Sequence, residues 1–132
     1  MSQIVASIRD IKKSGALHLI EFNLEDKSLF MISLELNKSI KKGIQVKLII
    51  KPFSIVLAKD FIGEISYLNR LEVKIKSIEI GEILTNIELE FYNYILESTV
   101  TTKSLNSMSL KKGDTILALI RATDISILEV IE

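Results

Sequence analysis

A tandem repeat constrains this chain more than any other feature of its sequence. Residues 39–51 resemble residues 109–121, and both tracts contain a Lys-Lys-Gly turn followed by a run of apolar residues. Upstream, residues 4–11 resemble residues 71–78. The offset is 70 residues for the first pair (39 to 109) and 67 for the second (4 to 71), so the first copy is three residues shorter before its Lys-Lys-Gly turn. We interpret the chain as a duplicated unit of about 65 residues.

Within each copy, apolar and polar residues alternate with a period of two, which predicts strands. Leu71, Val73 and Ile75 alternate with charged residues, and turn signals recur about every ten residues along the chain. In the second copy we expect strands at about 71–80, 83–91, 95–102, 114–121 and 123–131, with a helical turn at about 104–110 that Ser104 caps. The sequence therefore predicts an all-β protein of two tandem OB-like, five-stranded barrels, spanning residues 1–60 and 64–132.

Composition excludes several classes of protein. The chain has 17 basic and 17 acidic residues, one His and no Cys. Zero net charge argues against a nucleic-acid binder, and the absence of Cys removes thiolate metal sites and Cys nucleophiles. No nucleophile–base set, metal-ligand spacing or glycine-rich phosphate loop is present, so we do not expect an enzyme. No signal peptide or membrane span is expected, and a cytoplasmic location fits.

Three motifs in the second copy match a known family. Residues 101–104 give a Thr-x-x-Ser pair, residues 110–114 read Leu-Lys-Lys-Gly-Asp, and residues 121–125 read Arg-Ala-Thr-Asp-Ile. Residues 69–71, Asn-Arg-Leu, stand where the family begins its unit. On these motifs the chain resembles the TOBE domain family, and in particular its molybdenum-pterin-binding (Mop) proteins. The tandem resembles the di-mop arrangement of cytoplasmic molybdate-binding proteins.

The resemblance implies binding of molybdate or tungstate as an oxyanion at interfaces between subunits, with no directly coordinated metal ion. A tetrahedral dianion requires N–H and O–H donors and one or two cations. The matching positions are Ser66 and Asn69 in the opening motif, Thr101 and Ser104 as hydroxyl donors, Arg121 at the family's Lys position, Ala122 as a backbone N–H donor, and Lys51 as the cation of the first unit.

The chain also departs from the family pattern. Leu68 stands where the family has Arg, which removes one cation, and Pro52 has no N–H to donate after Lys51. A pocket built purely from first-unit residues is therefore not expected, whereas sites that mix the two units, or form between second units, stay open. Plainer interpretations also stand: Thr101 and Ser104 end a strand and cap a helical turn.

These expectations lead to two functional hypotheses. The first is a cytoplasmic homo-oligomer, trimer or dimer, that binds molybdate or tungstate for storage, buffering or delivery. The alternative is a regulatory or interaction module that senses the oxyanion, or docks on a transcription regulator or transporter ATPase without binding the anion tightly. Neither hypothesis includes catalysis, nucleic acid or a membrane.

Overall fold

The computed structural model describes residues 1–131, and within them it shows ten strands, one α-helix and two 3₁₀ turns. The strands are β1 (Ser2–Ser14), β2 (Leu17–Leu24), β3 (Lys27–Ser33), β4 (Gln45–Ile50), β5 (Val56–Ala58), β6 (Asn69–Ile80), β7 (Leu84–Phe91), β8 (Tyr94–Thr101), β9 (Thr115–Ile120) and β10 (Ile125–Ile131). Helix α1 is Thr102–Met108, and the 3₁₀ turns are Pro52–Ser54 and Ala122–Asp124. No helix among the described residues is long and apolar enough to cross a membrane.

Each sheet takes one strand from the opposite half of the chain. The strand orders are β10-β4-β1-β2-β3 and β5-β9-β6-β7-β8. Strand β10 pairs antiparallel with β4, with Ile125 opposite Ile50, and β5 pairs with β9, with Val56 opposite Leu119. The expected class, two tandem five-stranded OB-like sheets, is confirmed. The expectation that residues 123–131 complete the sheet of the second copy is wrong, because these residues pair in the sheet of the first copy.

The two copies share equivalent backbone hydrogen bonds as well as similar sequences. Gly43 N donates to Ile8 O and Gly113 N donates to Ile75 O, each at 2.8 Å. Both glycines have positive φ angles, 90° and 93°, which explains why each Lys-Lys turn ends in Gly. A β-bulge follows Ile8 in β1 and Ile75 in β6, at equivalent points of the two copies. These bulges bend β1 and β6 at the same place, so the two sheets curve alike.

Two buried polar residues link the sheets at equivalent points of the repeat. Asn69 Oδ1 accepts from Phe30 N at 2.7 Å, and Asn69 Nδ2 donates to Phe30 O at 2.9 Å. In the other copy, Ser2 Oγ accepts from Glu97 N at 2.8 Å. The inward side chains of both sheets form one apolar core. The two halves therefore pack as a single body with a shared interior.

The three-residue difference between the copies falls at helix α1. In the second copy α1 follows β8 and buries Leu105. In the first copy residues 34–44 contain no helix, and a groove of about 420 Å³ lies beside Leu36 and Ile40, between β3 and β10. Removal of three residues, close to one helical turn, accounts for the loss. Helix α1 begins two residues earlier than expected because Thr101, and not Ser104, is the N-cap.

Candidate functional site

The two connections between the sheets have the same local geometry. We call them the Lys51 crossover (residues 51–54) and the Arg121 crossover (residues 121–124). Lys51 has φ −75° and ψ 145°, and Arg121 has φ −70° and ψ 145°. In each, the fourth residue donates its backbone N–H to the carbonyl of the first at 2.9 Å. Each crossover therefore places a cationic side chain at the end of a strand, immediately before a 3₁₀ turn.

A cavity of about 370 Å³ lies at the Lys51 crossover and is built from both halves of the chain. Its lining residues are Met1, Ile49, Lys51, Ser54, Thr123, Asp124 and Ser126. Thr123 and Ser126 reach this place because β10 pairs with β4, which sets Ser126 opposite Ile49. Lys51 and the hydroxyl-bearing residues Ser54, Thr123 and Ser126 thus line one cavity, together with Asp124. This set of donors is suited to an oxyanion.

The charge of Lys51 is not neutralised by a direct ion pair. Among residues 1–131, no carboxylate lies within 4.0 Å of the Lys51 ammonium, whereas Lys47 pairs with Glu129 at 3.1 Å. Asp124 also lines the cavity and is its acidic member. Lys is a compact charge with three donors on a flexible stem, so it adapts to a small anion.

Arg121 lies in a different environment at the other crossover. Its guanidinium carbon is 5.4 Å from the centroid of the Tyr67 ring, which is a cation–π contact. The loop that carries Ser66 is held by Arg70, which donates to Tyr67 O at 3.0 Å and Ile65 O at 3.3 Å. Ser66 is exposed on this loop. The structure therefore brings the Ser66 loop and Arg121 together through Tyr67.

The equivalent first positions of the two 3₁₀ turns differ in their hydrogen-bonding capacity. Ala122 begins its turn and is half-buried, and an N–H at this position has no partner within the turn. Pro52 begins the other turn and has no N–H. The backbone donor expected from the family pattern is thus available beside Arg121 and missing beside Lys51.

The amide of Asn69, a predicted ligand, is engaged within the protein. Asn69 is buried, and its oxygen and nitrogen both bond to the backbone of Phe30. In the β6–β9 ladder it lies opposite Ile120, next to Arg121 in sequence. Asn69 therefore joins β6 to β3 and supports the strand from which the Arg121 crossover begins.

Thr101 and Ser104 lie together at the start of α1. Thr101 Oγ1 accepts from Ser104 N at 3.1 Å and donates to Ser104 Oγ at 2.8 Å. Thr101 therefore caps helix α1, as the plainer interpretation has it, whereas Ser104 lies in the first turn and donates to the cap. Among the hydrogen bonds of residues 1–131, none joins Thr101 or Ser104 to Lys51 or Arg121. Their use as anion donors stays a prediction.

Three hydroxyl-bearing residues that line the Lys51 cavity are absent from the sequence-based site: Ser54, Thr123 and Ser126. Thr123 lies in the Arg-Ala-Thr-Asp-Ile motif of residues 121–125, whereas Ser54 lies outside the repeated tracts. Ser126 belongs to none of the sequence motifs, and it lies beside Lys51 only because β10 pairs with β4. No periodicity within one copy predicts a strand exchange between copies. Within residues 1–131, no group of three or more His, Asp or Glu side chains is placed to hold a metal ion.

The architecture defines a protein of two OB-like sheets with exchanged strands, and comparison with known families specifies it further. Residues 65–127 match the family model of the TOBE domain. This part of the chain is a TOBE domain, as the motifs predicted. No curated protein matches the chain by sequence.

The solved structures that resemble this chain include two molybdate-binding proteins. The first is the cytoplasmic molybdate-binding protein ModG with molybdate bound, at 21% identity, with a TM-score of 0.87 and coverage of 95% of this chain and 93% of that one. The second is a molybdate-binding protein from Sporomusa ovata, at 30% identity, with a TM-score of 0.49 and coverage of 51% of this chain and 100% of that one. The likeness to ModG extends the fold assignment over both halves of the chain.

Proposed function

We propose that this chain binds a tetrahedral oxyanion of the molybdate and tungstate type, as a binding protein and not as an enzyme. The TOBE match and the tandem fold shared with a molybdate-binding protein support this proposal. The observation that carries it is the Lys51 cavity, which is lined by Lys51 and by the hydroxyl-bearing residues Ser54, Thr123 and Ser126. Such a set satisfies several oxygen atoms of one anion, and a neutral protein provides it because the donors are local.

The other predicted ligands take defined places in this proposal. Arg121 and the Ala122 N–H form a second donor pair at the other crossover. Ser66, Thr101 and Ser104 are surface hydroxyls that would complete a site between two copies of the chain. Asn69 would act by positioning the strand before Arg121. Assembly as a trimer or dimer, a cytoplasmic location, and storage, buffering or delivery of the anion belong to the same proposal.

A second candidate function rests on two exposed apolar residues, one in the Lys51 crossover and one in the loop before β6. Phe53 is 69% exposed at the position where the second copy has Thr123, and Leu68 is 58% exposed at the position where the family pattern has Arg. Apolar surface in place of donors favours contact with another protein. The alternative is therefore an interaction module that docks on a regulator or a transporter ATPase.

Isothermal titration of the purified protein with molybdate tests the proposal, with sulfate as the competing control. Saturable heat with molybdate that persists in the presence of excess sulfate supports oxyanion binding of the proposed class. Absence of heat with molybdate and with tungstate contradicts it and favours the interaction module. Light scattering on the same sample gives the mass of the assembly.

A further inference from the structure

A concave surface of the second copy lies outside both crossovers, where the β-bulge of β6 meets the Lys-Lys-Gly turn. The cavity there is about 590 Å³, and we call it the bulge cavity; it is lined by Lys74, Ile75, Lys76, Ser77, Glu90, Lys112 and Gly113. The bulge and the turn are held together by Gly113 N, which donates to Ile75 O at 2.8 Å. Three exposed lysines from two segments of the chain therefore border one surface.

The equivalent place in the first copy is neutralised within the chain. Arg9 is the extra residue of the bulge in β1, as Lys76 is in β6. Arg9 Nε lies 3.9 Å from Glu21 Oε2, and the Lys42 ammonium of the turn lies 3.8 Å from Asp10 Oδ1. Both cations of the first copy thus have a carboxylate partner.

The second copy has the cations without these partners. Ser77 stands where the first copy has Asp10, so the carboxylate that pairs with Lys42 has no counterpart at position 77 beside Lys112. Among residues 1–131, no carboxylate lies within 4.0 Å of an ammonium group of the three lining lysines. The charges of these lysines are therefore available to another molecule.

The nearby carboxylates leave a positive excess. Glu88, the equivalent of Glu21, accepts from Ser77 Oγ at 2.7 Å. Glu90 lines the cavity and lies opposite Lys74 in the β6–β7 ladder. Three lysines against these two carboxylates leave a net charge of +1, whereas the two cations and two carboxylates of the first copy sum to zero.

The turn offers few backbone donors to a ligand. The N–H groups of Lys111, Gly113 and Asp114 all donate within the chain, at 2.8–3.1 Å. The attraction therefore comes from flexible lysine side chains, which hold charge near a ligand without fixing its orientation. A small oxyanion needs several oriented donors, whereas a chain with several carboxylates can pair with each ammonium separately. The bulge cavity therefore favours an acidic polypeptide over a small anion.

We propose that the bulge cavity is a docking surface for an acidic segment of a partner protein, with Lys74, Lys76 and Lys112 as its contact residues. The carbon stems of these lysines would cover the apolar parts of such a segment. The contacts are exposed to solvent, so they speed association and select the partner, and salt weakens them. This inference goes beyond oxyanion binding, because it uses no residue of either crossover.

Fluorescence anisotropy of a rhodamine-labelled hexaglutamate peptide, with the full chain at low salt, tests the inference. We expect Lys76→Gln/Lys112→Gln to weaken binding about fivefold, through the loss of two exposed ion pairs. Arg9→Gln/Lys42→Gln is the matched control, with the same change in net charge at the equivalent positions, and should leave binding within about twofold. Molybdate binding should be unchanged in both variants, which separates this inference from the proposed function.

Exchange of the residue that distinguishes the two copies gives a test that removes no lysine. Ser77→Asp restores the carboxylate of the first copy and should weaken hexaglutamate binding, whereas Asp10→Ser releases Lys42 and should strengthen it. Absence of hexaglutamate binding to the unmodified chain, or equal losses in the two double variants, overturns the inference. Tighter binding of inorganic triphosphate than of hexaglutamate, lost in Lys76→Gln/Lys112→Gln, overturns the choice of an acidic segment and assigns the cavity to a small anion.

Discussion

The side-chain amide of Asn69 in β6 forms two hydrogen bonds with the backbone of Phe30 in β3, at 2.7 and 2.9 Å. These two bonds link β6, an interior strand of one sheet, to β3, an edge strand of the other. Asn suits this place because one flat amide both donates and accepts, as a neighbouring strand would. At the equivalent point of the repeat, Ser2 makes a single bond to Glu97 N, so the second link is weaker.

Replacement of Asn69 by Ala should destabilise the fold by about 2–4 kcal/mol, because the N–H and carbonyl of Phe30 lose buried partners. Asn69→Ser should recover part of this loss by imitating Ser2. Ser2→Ala, which removes one bond, should destabilise by about 1 kcal/mol. Urea denaturation followed by circular dichroism measures all three. Equal effects of Asn69→Ala and Ser2→Ala would contradict the unequal roles of the two links.

Leu105 fixes helix α1 to the second sheet. It is buried, whereas Leu36 in the shorter copy is half-buried beside the open groove. Leu105→Ala should destabilise the protein by about 2–3 kcal/mol, and Leu36→Ala by about 1 kcal/mol. Thermal unfolding of the two variants compares them directly. A greater loss for Leu36→Ala would mean that residues 34–44 pack more tightly than the groove indicates.

Ser109 ends helix α1 in the left-handed conformation, with φ 51° and ψ 45°. Glycine adopts this conformation without strain, so Ser109→Gly should stabilise the protein by about 0.5–1 kcal/mol. Ser107→Gly, inside the same helix, should destabilise it by about 1 kcal/mol and serves as the contrasting control. The midpoint of urea unfolding reports both changes. Destabilisation by both variants would show that the Ser109 side chain contributes a contact of its own.

The tips of the two outer hairpins are joined by a hydrogen bond from Tyr92 Oη to Asp26 Oδ1. This bond lowers the pKa of Asp26 from its ordinary value of 3.8 and raises the pKa of Tyr92 from 10.0. The stabilising effect is therefore present between these two values. It is lost as the pH falls through the lowered pKa of Asp26, and again as the pH rises through the raised pKa of Tyr92. We expect Tyr92→Phe to return the pKa of Asp26 toward its ordinary value, as measured by carboxyl NMR titration. An unchanged pKa in the variant would show that the tips do not meet in solution.

Much of the fold followed from the sequence because its signals are local. Period-two alternation located β6 to β9 within a few residues, and each Lys-Lys-Gly turn marked the start of an apolar strand. The predicted start of the helix was two residues too far along the chain. Thr101 and Ser104 are both good N-cap residues, and their spacing alone does not show which of them caps the helix. The partner of β10 could not be predicted, since a strand between two similar sheets has the same apolar pattern in either pairing.

The same limit applied to the candidate site. Motif positions indicated Lys51 and Arg121 as cations, and the structure places each at the start of a crossover. Two of the hydroxyl-bearing residues beside Lys51, Thr123 and Ser126, come from the other half of the chain and depend on the strand exchange. Asn69 was predicted from its motif as a ligand, but its amide bonds to Phe30, a contact with a residue 39 positions away that no local pattern encodes.

The most direct measurement is the anomalous scattering of tungsten in crystals grown with tungstate. The account predicts the strongest peak in the cavity among Lys51, Thr123 and Ser126, with hydrogen-bonding distances from the anion to these side chains. A strongest peak elsewhere, with none in this cavity, would contradict the role of the Lys51 cavity as an oxyanion site. Absence of any ordered tungsten, from crystals of a protein that also gives no heat with molybdate or tungstate, would contradict oxyanion binding itself.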